Sequence, residues 1–133
     1  MQAKLEEVVR RFAAETASLH LLDGAGTLVL AAHVGLPPHI VEIVARVPMG
    51  KGMAGLAALR NEPVSTCNIQ ADESGDVPRG ARATGVNGAI VVPVRDPEGR
   101  VRGALGIGVF RPYEYTPEET ERLLAEAARF AAG

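Results

Sequence analysis

Apolar residues recur at helical spacing near both ends of the chain and in tighter alternation through its middle, and this contrast divides the sequence into elements. Over residues 2–15, Leu5, Val8, Val9 and Phe12 fall at i, i+3, i+4 and i+7, with Glu6, Glu7, Arg10 and Arg11 between them. That is one apolar stripe on an amphipathic helix. Two strand-like runs follow, Ala17 to Leu22 and Thr27 to Val34, separated by Asp23-Gly24-Ala25-Gly26, whose aspartate and glycines suit a tight reversal. In such a hairpin His20 pairs near residue 30, so His20 and His33 do not oppose each other. Pro37-Pro38 then opens a short helix whose buried side is Ile40, Val41, Ile43 and Val44, and Pro48 closes it.

Met53 to Arg60 reads as a further short helix, and Glu62 to Cys67 as a brief extended segment, because Pro63 confines its predecessor to extended geometry. Residues 68–87 have no periodicity; a loop of this length in a compact domain is a lid, another functional segment or disorder. Gly88 to Arg95 and Arg100 to Phe110 are strands joined by Asp96-Pro97-Glu98-Gly99, with proline and glycine at the positions a turn favours. Val101, Leu105, Ile107 and Val109 face one side of the second strand, and Ala104, Gly106 and Gly108 the other. The bare face admits either a ligand or a closely packed helix, and the helix is the expectation. Thr116-Pro117-Glu118-Glu119 is a capping box with proline at the first helical position, and Leu123, Leu124, Ala127 and Phe130 form the stripe of the helix it starts. The order has no βαβ alternation and predicts an α+β fold with an antiparallel sheet.

Composition narrows the function. With 133 residues, 47% of them hydrophobic and 23% charged, the chain is expected to fold as one domain over residues 1–133. The net charge is −2 and the 14 basic residues are scattered, which argues against nucleic acid as a partner. No run approaches the roughly 20 apolar residues of a membrane span. Cys67 is the single cysteine, so no internal disulfide forms and a reducing, cytoplasmic setting is expected.

Gly50-Lys51-Gly52-Met53-Ala54-Gly55 matches G-x-G-x-x-G, the fingerprint of a dinucleotide loop. Its context does not fit. The residues before it, Val44 to Pro48, read as helical rather than as a buried parallel strand, and Asp72, at the distance of the ribose-binding acid, follows no such strand. What remains is a sharp turn into a helix whose first N–H groups face either water or a carboxylate or phosphate.

The amino-terminal helix, the LHLLDGAGTLVLAAHVG hairpin, the glycine turn with its helix and EPV, the GAIVVPVRDPEGRVRGALGI hairpin and the helix introduced by YTPEE together resemble a GAF domain over residues 3–132. The resemblance implies a central antiparallel sheet with the terminal helices on one face and short helices and loops on the other. It implies a regulatory module that holds a small molecule, such as a cyclic nucleotide, haem, a bilin or a metabolite, between sheet and loops. It also implies pairing of two copies through the terminal helices, here with Leu5, Val8, Val9, Phe12, Leu123, Leu124, Ala127 and Phe130, unless those stripes pack on the sheet. On this basis Met49, Met53, Ala54, Cys67 and Ile69 are expected at the ligand pocket, with Arg79 and Arg82 clamping an anion and Asp72 or Asp76 accepting hydrogen bonds.

The resemblance extends to stand-alone free-methionine-(R)-sulfoxide reductases, which need an attacking and a resolving thiol. This chain has Met53-Ala54-Gly55 where that branch places a cysteine, and no cysteine in residues 68–87. Cys67 with an external thiol is the enzymatic alternative; a ligand-free dimerisation scaffold is another. Cys67 is followed by Asn68 rather than the histidine of bilin-attaching relatives, and a lone cysteine is read as a small buried hydrophobe. His20, His33 and His39 offer no metal-binding spacing and are read as surface or half-buried polar groups, although one of them would suffice as a haem ligand. The expectation is therefore a non-catalytic, cytoplasmic sensor domain, with the ligand unidentified and no metal.

Overall fold

The computed structural model describes residues 1–69 and 85–131. Its elements run α1 (Gln2–Arg11), β1 (Thr16–Leu22), β2 (Thr27–Val34), α2 (Pro38–Val44), β3 (Arg46–Pro48), α3 (Gly52–Arg60), β4 (Val64–Thr66), β5 (Gly88–Arg95), β6 (Val101–Val109) and α4 (Pro117–Ala131). The six strands form one sheet in the order β3-β2-β1-β6-β5-β4, antiparallel throughout.

The same local chemistry makes both hairpin turns. Asp23 Oδ1 accepts from the N–H groups of Ala25 and Thr27 at 2.8 and 2.9 Å, and Asp96 Oδ1 accepts from those of Glu98 and Arg100 at 3.0 and 2.9 Å. In each turn a glycine, Gly26 or Gly99, takes a φ of 82°, which an L side chain disfavours. Hydrogen bonds from these backbone N–H groups, Thr27 and Ala25 to one and Arg100 to the other, hold both carboxyls below the usual carboxylate range.

Strand alternation sorts the side chains into two layers. Ile90, Val92 and Val94 of β5, Leu105 and Ile107 of β6 and Leu19 of β1 meet Leu5 and Val8 of α1 and Leu123, Ala127 and Phe130 of α4. Each fully buried leucine contributes roughly 1.5–3 kcal/mol of transfer free energy. On the opposite side Ala89, Val91 and Ala104 pack with Val64, Ile69 and Val86 and with Met53 and Ala57 of α3. Leu5, Val8, Leu123, Ala127 and Phe130, expected at a dimer interface, are at most 5% exposed within the single chain and have no surface left to offer a partner. Their stripes match the apolar face of the sheet, which the chain must cover before it can associate. Val9, Phe12 and Leu124 remain half-buried at the edge of that layer.

Two further expectations change. Arg46–Pro48 is not the tail of a helix but a short edge strand paired with Thr27–Val29 of β2. Helix α2 ends at Val44 and buries only Ile40, while Ile43 is 66% exposed. A helix of 7 residues makes about two turns, and here Ile40 points inward while Val41 and Val44 are half-buried.

Candidate functional site

Between the second face of the sheet and helices α2 and α3 lies a cavity of about 360 Å³. Its floor follows from strand register. Thr16, Ser18 and His20 alternate along β1 and stand opposite Gly108, Gly106 and Ala104 of β6. A polar row thus lies beside a row of small residues on one face. A Cβ on Gly108 would come within 2.6 Å of Val86 Cγ1 and 2.9 Å of Thr16 Oγ1, and one on Gly106 within 3.2 Å of Ser18 Oγ and Val91 Cγ2. The bare face of β6, expected to receive a helix, is shared: α3 covers Ala104, while Gly106 and Gly108 open on the cavity.

The walls come from short elements. Ile40, Ile43 and Val44 of α2 stand on one side, Lys51 to Ala54 at the start of α3 on another, and Ile69 and Val86 on a third. Ile69 N–H donates to Asn87 O at 2.6 Å and Asn87 Nδ2 to Asn68 Oδ1 at 3.0 Å, so the two stems are tied together beside the cavity. Residues 70–84, and with them Asp72, Asp76, Arg79 and Arg82, lie outside the described residues.

The glycine motif shapes the α3 entry. Gly50 and Gly52 take φ of 89° and 65°, and a Cβ on Gly55 would stand 2.6 Å from Pro48 O, so the turn and helix meet backbone to backbone. Gly55 N–H donates to Lys51 O at 3.1 Å, the first bond of the helix, and no side chain caps Lys51. Gly52, Met53 and Ala54 line the cavity, and their N–H groups have no acceptor among the described residues.

His20 is 3% exposed. Its Nε2 lies 2.8 Å from Val44 O, and since a carbonyl only accepts, Nε2 carries the proton. Nδ1 is then a bare acceptor with no partner. Burial lowers the His20 pKa, with the Val44 hydrogen bond opposing, so the ring is neutral near pH 7. Arg46 and Lys51 stand at the rim, Arg46 paired with Asp23 at 3.3 Å. No aspartate or glutamate is among the described lining residues.

Of the residues expected at the pocket, Met53, Ala54 and Ile69 line it; Met49 is half-buried away from the lining. Cys67 is not the buried hydrophobe expected but exposed, outside the lining, where its carbonyl accepts from Tyr113 N–H at 2.8 Å. His20, read as a surface or half-buried group, is buried at the floor, and His33 stands opposite Ser18, away from the lining. Thr16, Ser18 and Arg46 were not expected at the site. The alternation T-x-S-x-H in an otherwise apolar strand was the available signal for the first two; Arg46 gave none, because its segment reads as helix. Among the described residues no cluster of His, Cys, Asp or Glu has the geometry of a metal site.

A GAF domain family model matches residues 1–132. No curated protein matches the chain. Among solved structures the chain is similar to the GAF domain of a phosphoenolpyruvate-protein phosphotransferase from Coxiella burnetii, at 23% identity and a TM-score of 0.82, covering 98% of this chain and 77% of that one. It is similar to the corresponding domain from Acinetobacter, at 23% identity and a TM-score of 0.79 over the same shares. It is also similar to the type II free methionine-R-sulfoxide reductase of Thermoplasma acidophilum, at 24% identity and a TM-score of 0.79, covering 99% of this chain and 87% of that one.

Proposed function

The chain belongs to the GAF domain family, and on that premise we propose that it is a non-catalytic sensor module that holds a small molecule in the cavity over Gly106 and Gly108. The cavity itself carries the reading. About 360 Å³ lies within the range of small-molecule sites, it is walled mainly by apolar side chains, and His20, whose Nδ1 is buried without a partner, is on its lining. Mass spectrometry of the natively purified protein is expected to find a co-purifying small molecule in near-stoichiometric amount. Its absence, together with no ligand-induced stabilisation across a metabolite panel, would leave the scaffold reading.

The non-catalytic part rests on cysteine placement. The chain has one cysteine, and it stands exposed outside the cavity lining, so an attacking thiol has neither a resolving partner in the chain nor a position against a bound substrate. Free methionine (R)-sulfoxide with a thiol donor is expected to give no turnover; turnover that Cys67→Ala abolishes would install the reductase reading instead.

Pairing of two copies belongs to the same reading. Its surface is the outer side of α1 and α4, which keeps Val9, Phe12 and Leu124 half-buried and Ala125 and Ala128 exposed. A cytoplasmic setting agrees with the single cysteine and with the absence, among the described residues, of a helix long and apolar enough to cross a membrane.

A further inference from the structure

We propose that the ligand of this cavity is a small, uncharged molecule with an apolar body and an N–H or O–H group that donates to His20 Nδ1; phenols, alcohols and indole-like heterocycles are of this class. The inference rests on the sensor reading above and specifies its ligand class.

His20 sets the requirement. It lines the cavity and is only 3% exposed. Val44 O, 2.8 Å from Nε2, accepts and cannot donate, so the ring proton is held on Nε2 and Nδ1 keeps its lone pair. That lone pair is buried without a partner among the described residues. A ligand that brings a donor to it restores the hydrogen bond that burial removed, and is favoured over one that does not. Val44 belongs to α2 and His20 to β1, so the tautomer is fixed by the packing of the wall on the floor. The other polar groups of the floor impose no such polarity, because the hydroxyls of Thr16 and Ser18 rotate and either donate or accept. His33 Nδ1 is unpartnered too, but His33 lies off the lining and no described hydrogen bond holds its ring.

Charge narrows the donor. A carboxylate only accepts and would set its oxygens against the Nδ1 lone pair. An ammonium donates, but it would enter a cavity that has Arg46 and Lys51 on its lining and no aspartate or glutamate among the described lining residues to offset it. A neutral donor meets neither obstacle. Ile40, Met53, Ile69, Val86 and Val91 supply apolar wall, and about 360 Å³ leaves room for a small ring system against it.

Two pairs matched in shape, with the donor of one member replaced by hydrocarbon in the other, test this: indole against indene, and p-cresol against p-xylene. Affinity is measured by calorimetry, and the ring-nitrogen chemical shifts of isotope-labelled histidine are followed near neutral pH. Each donor is expected to bind about tenfold more tightly than its hydrocarbon and to move the His20 Nδ1 resonance, while that of His33 stays in place. His20→Phe is expected to abolish the preference within each pair; where that variant does not fold, the nitrogen shift in the wild-type protein decides. Equal affinity within the pairs, or tighter binding without a shift at His20 Nδ1, overturns the donor while leaving the pocket in place. Binding of none of the four at millimolar concentration also overturns it. In that event the co-purification experiment separates the two readings: a passenger molecule preserves the sensor, and an empty protein removes both.

Discussion

His20 carries the clearest residue-scale consequence. Its pKa lies below the ordinary 6.5 because burial disfavours the imidazolium. The unfolded chain therefore takes up a proton before the folded one, and stability present above about pH 6.5 is lost as the pH falls toward the folded value. His20→Gln keeps a donor for Val44 O and removes the titration. Urea denaturation is expected to show wild-type stability falling between about pH 7 and pH 5, and a flatter profile for the variant. The glycines of β6 separate in a similar way. A Cβ on Gly103 would sit 2.1 Å from His20 O, backbone that cannot yield, whereas one on Gly106 meets its neighbours at 3.2 Å. Gly103→Ala is expected to cost about 3 kcal/mol or more and Gly106→Ala about 1 kcal/mol or less, measured by denaturant midpoint. Cys67 shows what residue type alone leaves open. A thiol is compatible with core or surface, and Cys67 is exposed in step with β4, where Val64 and Thr66 are buried and Ser65 is exposed.

At the scale of elements, α4 owes its start to a capping box. Glu119 N–H donates to Thr116 Oγ1 at 3.1 Å, Thr116 N–H donates to Glu119 Oε1 at 2.9 Å, and Tyr113 Oη donates to the same carboxylate. Burial alone would raise the Glu119 pKa, but the hydrogen bonds from Thr116 and Tyr113 together hold it below the usual value. Thr116→Ala is expected to lower stability by about 1 kcal/mol with the native fold retained, seen as a shifted urea midpoint at unchanged slope. The box, both hairpin turns and the helical stripes were legible because each is written in residues close in sequence. Helix α2 and strand β3 were less so. The run from Ile40 to Pro48 is apolar with no decisive period, and the boundary between helix and strand lies where β2 offers Thr27 to Val29 as pairing partners.

At the scale of the whole molecule, the terminal helices take up their apolar stripes on the sheet, and cross-links hold them side by side. Arg11 bridges Glu7 and Glu126, and the Arg122 guanidinium lies 5.0 Å from the Phe12 ring centre. Any pairing of chains has to use the outer surface these contacts leave. Sedimentation equilibrium is expected to find a dimer that Ala125→Glu with Ala128→Glu converts to a monomer of unchanged circular dichroism. A wild-type monomer at high concentration would sink the pairing and leave the pocket untouched.

The sequence by itself determined the terminal helices, both hairpins, the antiparallel character of the sheet and the family, since periodicity, turn residues and caps act over a few positions. Through the family resemblance it also put Met53, Ala54 and Ile69 at the pocket, along with Met49 and Cys67, which lie outside the lining. Only the tertiary structure decided what the site is made of. The hydroxyls of Thr16 and Ser18 and the ring of His20 acquire meaning when β1 lies against β6, about 88 residues later in the chain, and their neighbours turn out to be Gly108, Gly106 and Ala104. Strand register is set by long-range pairing that no local pattern encodes, and the cavity exists because that register puts glycines beside polar side chains under α2 and α3.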